Sequence, residues 1–252
     1  MVLWQELSIL SCSNVNLRDL HMVNGQKQHV RIDESITVFI GGLHISAPGD
    51  SPNTDGIHIQ GSQHFNIENS YIATGDDCIS IGDGSYDVNI SQVTCGPGHG
   101  IRSLGDGGSH GTVEMVHVKI SFFTDTENGG GSGFTRNIIF ENLNFTAISN
   151  RIVINQYYCP DKACQNQALI DVHYIGLYGT SQSEVAVSLT CSECVACTNI
   201  LLNGIDLNAA NPGDTTSSYC LNAHGTIQGQ TITWPHVPFT GHQVIGWSSG
   251  LL

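Results

Sequence analysis

The sequence predicts an all-β chain wound as a parallel β-helix. Three observations point there: apolar residues alternate with period two in short pairs, the pairs recur 21 to 32 residues apart, and the composition holds only 12% charged residues with 29 glycines. Strands and turns satisfy all three, whereas a helical protein of this size needs Lys/Glu-rich amphipathic runs that are missing.

In chain order the pairs are Val15/Leu17, Ile36/Val38, Phe65/Ile67, Val88/Ile90, Val116/Val118, Ile138/Phe140, Ile170/Val172 and Ile200/Leu202, each followed by Asn, Gly or Ser nearby. Steps of 21, 29, 23, 28, 22, 32 and 30 residues are the mark of a solenoid, in which each coil buries its apolar side chains against the next. Within a coil, Phe65-Asn66-Ile67-Glu68 and Ile138-Ile139-Phe140-Glu141-Asn142-Leu143 alternate as strands do. Coil lengths vary because the turns vary, and Gly and Asn tolerate the positive φ of a sharp bend. A β-sandwich is the rival architecture, kept open by the hairpin-type dipeptides Asn24-Gly25, Asn128-Gly129 and Asn203-Gly204. A chain of 252 residues has room for one domain or two. The unbroken repeat assigns residues 1–252 to a single β-helix domain, with coils to about Asn208 and an irregular tail containing Pro235 and Pro238.

The formal net charge is −14, from 22 acidic and 8 basic residues. That balance excludes nucleic-acid and anionic-membrane partners, which need a basic footprint. An acidic substrate would need a local basic cluster. No run reaches the roughly 18 apolar residues of a membrane span. Met1-Val2-Leu3-Trp4-Gln5-Glu6 lacks the basic and apolar regions of a signal peptide.

Three turn segments carry possible chemistry: Asn53-Thr54-Asp55-Gly56, Gly75-Asp76-Asp77-Cys78 and Gly98-His99-Gly100. Asp55 to Asp76 is 21 residues and Asp77 to His99 is 22, each close to one coil, so a solenoid stacks them. Neighbouring strands lie about 4.8 Å apart. Carboxylates offset by one residue on adjacent coils can therefore reach the roughly 6.5–9.5 Å separation with which inverting glycosidases admit a water. Crowding raises the pKa of at least one carboxyl, leaving it to donate a proton while the others activate water. Taken singly, Asp or Asn beside Gly is an ordinary turn former. Calcium held by Asp-rich turns is a further alternative, against which the repeated Gly-Gly-x-Gly-x-Asp pattern is missing.

The chain resembles the polygalacturonase family of pectin hydrolases, in its plant-type form. The resemblance rests on Ser51-Pro52-Asn53-Thr54-Asp55-Gly56-Ile57, Ala73-Thr74-Gly75-Asp76-Asp77-Cys78-Ile79-Ser80-Ile81 and Cys95-Gly96-Pro97-Gly98-His99-Gly100-Ile101, in order and at the family's spacing. It extends from about Leu3 to about Gly229, through Gly131-Ser132-Gly133-Phe134-Thr135-Arg136-Asn137-Ile138 and Ile154-Asn155-Gln156-Tyr157-Tyr158-Cys159. The resemblance implies a right-handed β-helix that hydrolyses α-1,4-linked galacturonan with inversion and without a cofactor or metal. It implies Asp76 as the general acid, Asp55 and Asp77 as the pair that activates water, His99 as the residue that tunes Asp76, and Asn53 and Tyr158 as substrate contacts. Two features depart from the pattern. The family's Arg-Ile-Lys, whose cations grip uronate carboxylates, is absent, and the chain runs Glu127-Asn128-Gly129-Gly130-Gly131-Ser132-Gly133 instead. The stretch after His99, Gly100-Ile101-Arg102-Ser103-Leu104-Gly105, is two residues shorter than the family's. Arg102 is the residue that would replace the lost clamp by turning into the cleft, the alternative being a solvated turn arginine. The missing clamp makes an inactive or weakly active pectin-binding homologue the second functional reading. A pectate lyase, with calcium and an arginine base, is the third.

Nine cysteines and the sequons Asn89-Ile90-Ser91 and Asn144-Phe145-Thr146 suit a secreted glycoprotein. Cys191-x-x-Cys194-x-x-Cys197 lacks the fourth ligand of a metal site. The resemblance implies disulfides Cys78–Cys95, Cys159–Cys164 and Cys191–Cys197, leaving Cys194 to pair with Cys220 and Cys12 odd. None of the twelve histidines forms a helical zinc motif, and His99 alone stands in a signature. The expectation is a monomeric, secreted cell-wall protein whose leader and opening segment lie outside this chain.

Overall fold

A computed structural model describes residues 7–102, 109–119, 122–123, 132–148, 152–157 and 167–229. These form twenty strands, numbered in chain order, and every strand pairing is parallel. The first sheet stacks β1 (Leu7–Leu10), β4 (Val30–Asp33), β7 (Ile57–Gln60), β9 (Ile79–Ile81) and β11 (Ile101–Arg102). The second runs through β2 (Ser13–Arg18), β5 (Ile36–Gly41), β8 (Gln63–Ala73), β10 (Ser85–Cys95), β12 (Ser109–Lys119), β14 (Ser132–Ile148), β16 (Gln167–Ser181), β18 (Cys197–Ala209) and β20 (Ala223–Gln228). Its margin adds β3 (His21–Val23), β6 (His44–Ser46) and β13 (Phe122–Phe123). The third holds β15 (Ile152–Asn155), β17 (Val185–Thr190) and β19 (Ser217–Leu221). No strand among the described residues joins β11 to β15.

Parallel pairing at one-coil spacing settles the β-helix over the sandwich, which would show antiparallel hairpins. The coils turn where the backbone takes positive φ, and the turns themselves stack. Asn14, Thr37, His64, Asp87, Met115, Asn137, Asp171 and Asn199 all have φ between 54° and 59° and occupy one column of the second sheet. A second column holds Asp19, Gly42, Asn69, Gln92, Asn142, Gly176 and Gly204. Asn, Asp and Gly recur because they enter this left-handed region at least cost. The second column holds the polar and glycine residues that follow the apolar pairs in the sequence.

Inside the coils, alternation fills one continuous core. Val30, Ile32, Ile57, Ile59, Ile79 and Ile81 are 0% exposed, as are Ile40, Ile67 and Val88 across from them. Each such side chain contributes about 1.5–3 kcal/mol of burial. Two expected disulfides are present, Cys78–Cys95 and Cys191–Cys197. The expected Cys194–Cys220 bridge is not: both thiols are free, Cys194 in an exposed turn and Cys220 on β19. Cys159 and Cys164 lie outside the described residues. Regular strands also run past Asn208, where the tail was expected to begin, because β19 and β20 add another rung up to Gln228. The apolar signal thins there, with Ala223, Gly225 and Ile227 in place of large paired residues. Among the described residues no helix is long and apolar enough to cross a membrane.

Candidate active site

The three signature turns each lead into a strand of the first sheet. Register aligns Ile57 with Ile79 and Ile79 with Ile101, so the residues two places earlier, Asp55, Asp77 and His99, fall on successive coils. Backbone bonds hold the turns in step: Gly56 N–H donates to the Asp77 carbonyl at 2.8 Å and His99 N–H to the Asp76 carbonyl at 3.0 Å. Glycine is required where these turns touch. A Cβ on Gly75 would lie 2.2 Å from the Ser51 carbonyl oxygen, and one on Gly98 2.4 Å from that of Asp76. Thr54, in the first signature, ties it to the second by accepting from Gly75 N–H at 3.1 Å. Asn53 stands exposed in that first turn, with φ 54°.

His99 is the hub. Its Nδ1 lies 3.0 Å from Asp76 Oδ1, 3.6 Å from Asp77 Oδ1 and 2.7 Å from Arg102 Nη1. The two carboxylates raise the His99 pKa to about 10, against burial and the guanidinium, which lower it. The same hydrogen bond to His99 is the largest influence on Asp76 and holds its carboxyl below the ordinary range. Asp77, only 5% exposed, is pushed the other way by burial, against His99 and Arg102. One nitrogen cannot donate to Asp76 and accept from Arg102 together. Two proton placements therefore compete: imidazolium with ionised Asp76, or neutral His99 accepting from Arg102 with the proton on Asp76.

Arg102 is not the solvated turn arginine of the sequence-based alternative, nor does it stand open as a clamp. It is 7% exposed and sits behind His99, with Nε 3.7 Å from Asp77 Oδ1. Tyr158 and the segment Glu127–Gly131 lie outside the described residues. The ligand atoms of Asp76, Asp77 and His99 lie within 4.8 Å of one another, close enough to hold a cation. A guanidinium 2.7 Å from the imidazole donor puts a fixed positive charge beside that pocket, which suits proton chemistry better than a metal.

Sequence reasoning passed over two histidines. His58 Nδ1 lies 3.8 Å from Asp55 Oδ2 and 3.1 Å from Ser80 Oγ. The alternation Ile57-His58-Ile59 places it outside the core, next to the first signature. His29 accepts from Gly25 N–H through Nε2 at 3.0 Å, so Nδ1 carries the proton and donates to the Asp55 carbonyl at 3.0 Å. Burial lowers its pKa and keeps the ring neutral. No one-coil signature precedes His29, so spacing alone could not single it out.

The coils of this β-helix stack carboxylates against a histidine, an arrangement chemically capable of proton transfer. The comparisons place it more narrowly. Residues 4–231 match the family model of glycosyl hydrolases family 28, and the chain belongs to that family. It is 40% identical to a probable polygalacturonase of Arabidopsis thaliana over 243 residues, covering 91% of this chain and 55% of that protein. It is 42% identical to a polygalacturonase of Persea americana over 230 residues, covering 86% and 50%. The chain thus spans about half the length of the curated relatives it matches. Among solved structures, endo-xylogalacturonan hydrolase from Aspergillus tubingensis superposes with a TM-score of 0.75 at 21% identity, covering 86% of this chain and 64% of that one. A hyperthermoactive exopolygalacturonase from Thermotoga maritima gives 0.66 at 17% identity, covering 89% and 54%. Both neighbours support the right-handed β-helix.

Proposed function

We propose that the chain is a pectin-degrading glycoside hydrolase that cleaves α-1,4-galacturonan with inversion. The observation that carries this reading is the Asp76–His99 contact beside Asp77, one coil from Asp55, in a chain of this family. Asp76 is the general acid. Its side chain is 23% exposed against 7% for Asp77, so it is the carboxyl better placed to meet a leaving oxygen. An arriving uronate adds negative charge and excludes water, and both raise a carboxyl pKa. The proton then shifts from His99 to Asp76, with Arg102 donating to the neutral imidazole. Asp76 protonates the glycosidic oxygen as its bond to the anomeric carbon breaks. A water held between Asp55 and Asp77 attacks that carbon from the opposite face and gives its proton to one of them.

A second reading, a pectin-binding homologue with weak turnover, draws support from Arg102. Its guanidinium is engaged with His99 and Asp77, so the uronate clamp implied by the resemblance is not supplied from this position. Reducing-sugar release from polygalacturonate decides between them. Turnover that falls by about 10²–10⁴-fold in Asp76→Asn, with binding retained, supports the hydrolase. Binding without turnover in the unaltered chain supports the second. The disulfides suit an oxidising compartment, and exposed Asn89 in its sequon suits a glycoprotein. Both fit a secreted protein acting on the cell wall as a single β-helix domain.

A further inference from the structure

The chain holds only 8 lysines and arginines against 22 acids, so the placement of each cation matters for a polyanionic substrate. Arg18 lies over the Phe39 ring and Arg136 pairs with Glu114, both on the second sheet. Two cations stand on the sheet that carries the aspartates, Arg31 on β4 and Arg102 on β11. Register puts them in one column: Arg31 is opposite His58, His58 opposite Ser80, and Ser80 opposite Arg102. Their neighbours along each strand, Val30, Ile32, Ile57, Ile59, Ile79, Ile81 and Ile101, all point into the core. The column therefore lies on the side away from the core, exposed at Arg31 and covered at Ser80 and Arg102. It meets the carboxylates at two rungs, His58 at Asp55 and Arg102 at Asp77.

We infer that Arg31 is a distal uronate-binding residue, taking the carboxylate of a sugar well removed from the scission point; this rests on the reading of the chain as a galacturonan-binding protein. Three rungs of about 4.8 Å place Arg31 roughly 14 Å along the wall from Arg102. Asp33 holds the guanidinium in place, with its Oδ2 2.7 Å from Nη2 and 2.8 Å from Nε, while the side chain remains 42% exposed. Asp33 fixes the plane of the guanidinium through Nε and Nη2, and a uronate carboxylate would meet the exposed part of a group already held in orientation. Asp33 offsets part of the charge, so recognition depends on that hydrogen-bonding geometry as well as on attraction. His58 bridges Arg31's rung to Ser80 and Asp55, making the wall continuous from the distal position to the acid/base cluster.

The test is calorimetric titration of the whole chain, as wild type, Arg31→Gln and Arg31→Lys, with short and long oligogalacturonates and their methyl esters. Reducing-sugar release is measured alongside. In Arg31→Gln, binding of long acidic oligomers should weaken about tenfold, the scale of one lost charge-assisted contact. Arg31→Lys should keep part of that affinity. The dimer and the esters should bind all three proteins alike, and any turnover should show a raised KM with unchanged kcat. Long oligomers that bind Arg31→Gln as they bind the wild type overturn the inference and leave the functional reading standing. So does an equal loss for dimer, ester and long acid, which marks a structural defect. A wild type that binds no oligogalacturonate overturns the functional reading, and the inference with it.

Discussion

Replacing His99 by glutamine tests the proton network directly, because it removes the charge while keeping a hydrogen-bonding side chain. His99 is raised from its ordinary 6.5 to about 10 in the folded protein. A raised folded pKa means that the ion pair stabilises fully below pH 6.5 and that this contribution is lost as pH rises toward 10. At about 1.4 kcal/mol per decade, the whole interval would be worth about 5 kcal/mol. The His99 side chain is 42% exposed, and Arg102 Nη1 faces the same nitrogen at 2.7 Å. Solvent screening reduces the expected contribution to about 1–2 kcal/mol. The lowered pKa of Asp76 describes the other side of this interaction and is not added to it. Urea unfolding of wild type and His99→Gln, measured from pH 6 to pH 10, should show the wild-type advantage shrinking by that amount as pH rises. Other titrating groups are common to both proteins and cancel in the difference. Curves that stay parallel across the range would refute the imidazolium–carboxylate pair.

Two further outcomes follow from the coil contacts. Gly98→Ala puts a Cβ 2.4 Å from one backbone oxygen and 2.9 Å from another, at φ 133°, and neither oxygen can swing aside. It should cost about 2–3 kcal/mol in urea unfolding and abolish reducing-sugar release, whereas wild-type values for both would contradict the close stacking. Replacing Cys78 and Cys95 together by alanine opens a loop with a sequence separation of 17 and should lower the unfolding free energy by about 3 kcal/mol. An unchanged denaturation midpoint would show that the bridge does not constrain the unfolded chain.

Much of the fold was legible because each coil repeats one physical demand. A pair such as Phe65/Ile67 must point inward, and the residue two places on, here Asn69, must bend the chain with positive φ. Asp55, Asp77 and His99 were legible as a set for the same reason, since spacings near one coil become neighbours. Side-chain direction was not legible. Nothing in Gly100-Ile101-Arg102 says that the arginine folds back beneath His99, because that depends on the adjoining turn. His58 was visible as an outward residue, yet its partner Ser80 appears only when the register is known. The free Cys194 and Cys220 show the same limit: elimination can pair cysteines on paper, but the turn after Cys191 points one thiol into solvent.

The columns of positive-φ residues have a consequence for how the molecule tolerates change. In a solenoid each coil is coupled to its neighbours alone. Asn14, Thr37, His64, Asp87, Met115, Asn137, Asp171 and Asn199 keep step along the second sheet although the coils that carry them differ in length. Residues added or lost in the turns between strands therefore leave this column in register, whereas one added inside a strand would turn that strand's alternating side chains to the wrong face.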